Sequence, residues 1–158
     1  MGAMTGATGV PYATQDLKSW LPEQLGGLPR TAFDVQSGAA MGIAGSSATA
    51  EYGNGAQQLK LVVSDIGGLG SLIGVAAWAN MTVDRETNGS VEKVYRQGKR
   101  TVRENYRKDG SHVEYTVVLE NGLIVELSGG QTSVDKIKQA LASLDLSRME
   151  SAQRPVKS

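Results

Sequence analysis

The sequence predicts an α+β domain: one antiparallel sheet of about six to seven strands, ending in a four-stranded meander and covered by N-terminal, central and C-terminal helices. Three observations carry this. Alternating segments parted by Gln97-Gly98, Asp109-Gly110 and Asn121-Gly122 fill the second half of the chain, and Asn-Gly and Asp-Gly favour the turns whose twist suits a two-stranded ribbon. Apolar residues at helical spacing stand near both ends. Between them, Ile66 to Val83 (IGGLGSLIGVAAWANMTV) runs for 18 residues without a formal charge.

Residues 1–13 read as a flexible leader, residues 14–148 as a single domain and residues 149–158 as a frayed tail. The opening Gly-Ala-Met resembles a cloning remnant, and the leader lacks the basic and apolar regions of a signal peptide. From Thr14, a candidate cap, Leu17, Trp20, Leu21 and Leu25 recur at spacings of three and four. Pro22 should break this helix near Leu21. A first strand is expected over Thr31–Gln36, and a second over Ala48–Tyr52 after the small-residue stretch SGAAMGIAGSS. Gly53-Asn54-Gly55 is a turn signal. Gln58–Ile66 alternates, with Leu59, Leu61 and Val63 on one face. Asp84 to Gly89 reads as a turn or a ragged strand.

The meander comprises Val91–Arg96, Thr101–Arg107, His112–Glu120 and Leu123–Leu127. A closing helix is expected from about Ser133 to Leu144. Ser133 or Thr132 would cap it, with Asp135 in the first turn and Val134, Ile137, Leu141 and Leu144 on one stripe.

Composition narrows the chemistry. The 158 residues suit one domain with a sizeable core. Sixteen basic residues balance sixteen acidic ones, so no global field draws the chain to nucleic acid or anionic membrane. Without cysteine there is no thiolate catalysis and no thiolate zinc site, and a lone His112 excludes a two-imidazole site. No cofactor, metal or catalytic group is expected.

The charge-free segment has three readings. As a ligand loop, Gly68, Gly70 and Gly74 resemble a loosened dinucleotide fingerprint, but Ile73 occupies the position of the last glycine of G-x-G-x-x-G and a meander follows where alternating βαβ is required. As a membrane span, its strongly apolar part, Leu69 to Ala79, covers only about 16 Å of helix. The preferred reading is a buried helix packed tightly through Gly70 and Gly74. If it has a functional surface, Leu69, Ile73 and Trp78 are where an apolar ligand or partner would dock.

A second feature is basic. From Lys93 to Lys108 seven basic residues face one acid, Glu104, a local charge of +6. Lys93, Arg96, Arg100, Arg103 and Arg107 form a candidate binding face for an acidic partner or phosphate. The competing expectation is a solvated face neutralised by Glu92, Glu114, Glu120 and Glu126 on neighbouring strands. Asp84 and Glu86 are candidate paired carboxylates, as are Glu114 and Glu120 at wider spacing.

Three stretches carry a resemblance: VPY with LKSWLPEQL, ATAEYGNGAQQLKLVVSDIGG, and VEKVYRQGKRTVRENYRKDGSHVEYTVVLENGLIVELSG followed by LDLSRME. Together they resemble a loosely defined group of uncharacterised bacterial cell-envelope proteins, in which a similar domain follows an exported leader. The order of elements also looks like the PsbP/Mog1-type fold. These resemblances imply a periplasmic, non-enzymatic binding or accessory domain, with a cytoplasmic location as the alternative. The expected partner is a protein or a small hydrophobic ligand, not nucleic acid. The chain is expected to lack a transmembrane span and to be a monomer or weak homodimer. A hydrophobic carrier, an immunity-type module using the basic hairpin and a carboxylate-dependent hydrolase are the alternatives.

Overall fold

The computed structural model describes residues 14–37, 46–65, 82–98, 100–119, 123–144 and 146–151. The strands are β1 (Gln24–Leu25), β2 (Leu28–Ser37), β3 (Ser46–Gly53), β4 (Gln58–Asp65), β5 (Val83–Thr87), β6 (Ser90–Gln97), β7 (Arg100–Arg107), β8 (Val113–Val118) and β9 (Ile124–Gly129). They form one nine-stranded sheet in the order β1-β2-β3-β4-β9-β8-β7-β6-β5, with every pair antiparallel. Three short helices accompany it: α1 (Thr14–Ser19), α2 (Val134–Ala142) and α3 (Leu146–Ser151).

This corrects the expected fold class. Among the described residues the fold is roughly all-β, with one nine-stranded sheet and no long helix covering it. One strand escapes the sequence pattern and another reads only as a turn or ragged strand, for physical reasons. β1 is too short to leave a period. β5 (VDRET) lies at the sheet edge, where nearly every side chain meets solvent and alternation has nothing to report. The expected central helix lies outside the described residues.

Among the described strands, the two meanders β1–β4 and β5–β9 pair with each other through β4 and β9, Leu59 opposite Gly129 through Ser64 opposite Ile124. Registers at this seam place Leu61 beside Leu127 and Val63 beside Val125, all fully buried. The same face continues through Ala48, Ala50 and Tyr52 on β3, Val113, Tyr115 and Val117 on β8, and Val102 on β7. Each buried large side chain contributes roughly 1.5–3 kcal/mol.

The helices close this face. In α1 and the turn after it, Leu17, Trp20 and Leu21 are buried at the expected spacing. Pro22 follows, and its carbonyl accepts a 2.7 Å hydrogen bond from the Tyr52 hydroxyl. Ser133 caps α2, its Oγ accepting from the Lys136 N–H at 3.2 Å, a contact worth about 1 kcal/mol. Ile137, Ala140 and Leu141 face the sheet. The chain does not fray at Met149: α3 continues to Ser151 and buries Met149 to 2% exposure.

Asp109-Gly110, expected as a type I′ turn, has positive φ only at Gly110, and Asn121-Gly122 lies outside the described residues. Asn88 and Gly89 both take positive φ between β5 and β6, as a type I′ turn requires. The opposite face of the sheet is mostly polar, yet Val94, Thr101, Thr116 and Val118 are buried there.

Candidate functional site

The basic hairpin does not present one face. Pairing in β6 and β7 puts Arg96, Arg103 and Arg107 on the side away from the helices, and Lys93 and Arg100 on the helix side. On the outer side, Arg103 is held by Glu92, its Nε and Nη2 donating to Oε2 at 3.0 and 2.8 Å. Arg85 approaches the same carboxylate at 3.2 Å. Arg107 donates to the Ser90 hydroxyl, and Asn105 to Glu114. Arg96 is exposed. The outer face is thus a ladder of cross-strand polar pairs, ordinary for a solvated sheet.

On the helix side, Arg100 has a structural partner. Arg100 grips Glu150 of α3 through two hydrogen bonds, Nε to Oε2 at 3.0 Å and Nη2 to Oε1 at 2.6 Å. Lys93 lies opposite Glu104 in register. Glu104 is 4% exposed. It accepts a short hydrogen bond from the Tyr95 hydroxyl and a 3.1 Å ion pair from Lys138 of α2. Burial pushes the Tyr95 phenol well above its ordinary range, and the hydrogen bond to Glu104 adds to the shift. For Lys138, burial pulls downward, but the hydrogen bond and charge of Glu104 outweigh it and the ammonium is held above its usual value. Two ion pairs therefore fasten α2 and α3 to the same strand, β7.

Asp84 and Glu86 share a face of the edge strand β5, and both are exposed. Glu86 pairs with Lys108 at 2.5 Å. His112 is exposed, with Nε2 3.5 Å from Glu114. Leu69, Ile73 and Trp78, with residues 66–81 as a whole, lie outside the described residues, as do Lys99 and Glu120. Among the described residues no three His, Asp or Glu side chains converge as a metal site, and no helix is long and apolar enough to cross a membrane.

A groove that the sequence did not suggest lies where the β1–β2 turn, the β3–β4 hairpin and the loop into α2 meet. Its volume is about 510 Å³. The floor is apolar, from Leu28, Leu59, Ile137 and Ala140. Gln57, Gln58, Thr132, Lys136, Gln139 and Ser143 add polar residues to the lining; the Ser143 hydroxyl donates to the Ala140 carbonyl and Gln57 Nε2 to the Gln131 carbonyl. Among the described residues no carboxylate lines it. Glycines shape it: Gly26 and Gly27 turn with φ of 60° and 81°, conformations that favour glycine. At Gly129, beside the groove, a Cβ would come within 2.7 Å of Leu59 Cδ2 and 2.9 Å of the Gln58 carbonyl oxygen. Close passage of β4 and β9 therefore needs glycine there. Only the Gly26-Gly27 pair hinted at this in the sequence, and it reads equally as a helix stop.

Comparison with known proteins returns no matching family model, no matching curated protein and no matching solved structure.

Proposed function

We propose that this domain is a non-catalytic binding module that seats a small polar ligand in the groove between α2 and the β1–β2 and β3–β4 turns. The supporting observation is the pairing of an apolar floor with polar lining residues that include one lysine, Lys136. Such a surface offers hydrogen bonds and a weak positive field but no general acid–base pair, so its chemistry is recognition rather than turnover. The volume is that of a small-molecule site. A neutral or anionic ligand with one apolar face matches the lining; a cationic one would meet Lys136 without a counter-carboxylate. The resemblance to bacterial envelope proteins supports an accessory role in that compartment.

Protein-observed NMR against a library of small sugars, carboxylates and phosphates tests the reading. Ligands should shift the amides of Gly27, Gln58, Thr132, Lys136 and Gln139, and Lys136→Glu should weaken anionic ligands about tenfold, a charge effect of about 1.4 kcal/mol. Shifts confined to other surfaces, or chemical conversion of the bound compound, would reject it. Fractionation of cells expressing the native gene tests the location: protein recovered wholly in the cytosol contradicts the envelope assignment.

A further inference from the structure

The two lateral edges of the sheet are finished differently. At the β5 edge, Asp84, Arg85 and Glu86 are three successive charges, and Arg85 and Glu86 are tied to Glu92 and Lys108. Charge on an edge strand discourages another strand from pairing there. The β2 edge is longer. Its outer side is paired with β1 only at Leu28 and Pro29, and the Arg30 N–H donates to the Glu23 carbonyl at 2.8 Å. Beyond that point no described strand pairs with it, and Thr31, Ala32, Phe33, Asp34 and Gln36 are exposed.

Phe33 is the one large apolar side chain among the described residues that is exposed, at 46%. It faces the helix side, opposite Ala50. Two cations flank its ring, Lys18 Nζ 4.7 Å and Arg30 Cζ 5.0 Å from the centroid. Neither is ion-paired among the described residues. This contrasts with Arg85, Arg100, Arg103, Lys108 and Lys138, each of which has a carboxylate partner.

We infer that β2 is a docking edge, which takes an extended peptide segment of a partner protein as a tenth strand and reads an acidic side chain placed opposite Phe33. Main-chain hydrogen bonds supply affinity in this mode and alternate side chains supply specificity. Directly opposed residues bring their Cβ atoms to about 4.5–5.5 Å, so an aspartate or glutamate facing Phe33 reaches both Lys18 and Arg30. The adjacent residue of the peptide faces the other side, beside Asp34, whose carboxylate accepts from Gln36 Nε2 at 2.7 Å. That position favours a neutral or basic side chain.

A second copy of this chain fits less well. Pairing the whole open edge with itself, Thr31 against Ser37, sets Asp34 against Asp34 of the second copy. A register centred on Phe33 gathers four cations and no acid. Sliding toward Ser37 relieves this only by shortening the paired stretch.

Panning a random heptapeptide phage library on the protein tests the inference. Enriched peptides should carry aspartate or glutamate within a β-branched run. Synthetic versions should shift the backbone amides of Thr31 to Gln36 in NMR spectra. Lys18→Glu with Arg30→Glu should weaken the acidic peptide at least tenfold and favour its glutamate-to-lysine counterpart; retained chemical shifts across β7–β9 would show the variant folded. Peptides without an acid, shifts at the α2 groove instead of β2, or no enrichment would overturn the inference. So would a concentration-dependent dimer in sedimentation that is lost with Val35→Lys, which assigns the edge to a second copy.

Discussion

Tyr52 is 1% exposed, with its hydroxyl committed to the Pro22 carbonyl that ends the α1 turn. Tyr52→Phe should cost about 1–2 kcal/mol in urea unfolding, because it leaves a part-buried carbonyl without its donor. The same residue sets an alkaline limit. Burial pushes its phenol from the ordinary 10.0 up to about 12, against a small opposing effect of Arg30. The folded protein therefore holds a proton that the unfolded chain releases, and stability falls as pH rises from 10.0 toward 12. Tyr95, also raised, steepens the fall. Urea midpoints on either side of pH 10.0 should show the decline, shallower in Tyr52→Phe. Glu104 gives a second residue-scale test. Lys138→Met strands a buried carboxylate and should cost about 3 kcal/mol. Glu104→Gln keeps an acceptor for Tyr95 and frees a half-exposed ammonium, so it should cost less. Equal losses in denaturant titrations would contradict this account.

At the scale of elements, α3 is six residues long, too short to persist alone in water. Met149 in the core, Leu146 packed against it and the Arg100–Glu150 pair help to hold it. Met149→Ala should cost about 2–4 kcal/mol. Arg100→Glu and Glu150→Arg should each destabilise by about 1 kcal/mol, and the double swap should recover most of the loss in a double-mutant cycle. The sequence made some of this legible and hid the rest. Strands β4, β6, β7 and β8 stood out because apolar and polar residues alternate along them, so Leu59, Leu61 and Val63, or Val113, Tyr115 and Val117, recur at period two. The α2 stripe and its Ser133 cap were equally plain. Pro22 marked the end of α1 because it removes an N–H. By contrast, α3 is six residues long and mostly polar, with Leu146 and Met149 as its apolar contacts, and so leaves little periodic signal. Splitting of the basic residues between two faces was hidden because charge clustering in sequence ignores the period of two. The groove and the Phe33 edge come from segments distant in sequence, which no local pattern records.

For the whole molecule, the decisive fact is the pairing of β4 with β9. It was not legible, since β4 and each strand of the later meander alternate alike and nothing local names the partner. It sets sheet order, and it places Leu61, Val63, Val125 and Leu127 at the middle of the core. Joining segments so far apart in sequence raises contact order, which slows folding. Native-state hydrogen exchange should show the greatest protection in β4, β8 and β9 and the least in β1 and β5, where one side of each strand has no described neighbour. Strong protection of β5 relative to β9 would show that stability is distributed otherwise.

That seam has a further consequence for how the molecule can be taken apart. Each meander is continuous in sequence, one up to Asp65 and the other from Val83 onward. Among the described strands every hairpin therefore lies within a single half, and the β4–β9 ladder, with the core beneath it, joins the two. β4 lies in the middle of the sheet and β5 at its far edge, so no hairpin joins these two consecutive strands. Severed between them, the chain becomes two polypeptides whose complementary flanks are β4 and β9. Co-expressed, they should reassemble into the same nine-stranded sheet, so that an intramolecular seam doubles as a heterodimer interface.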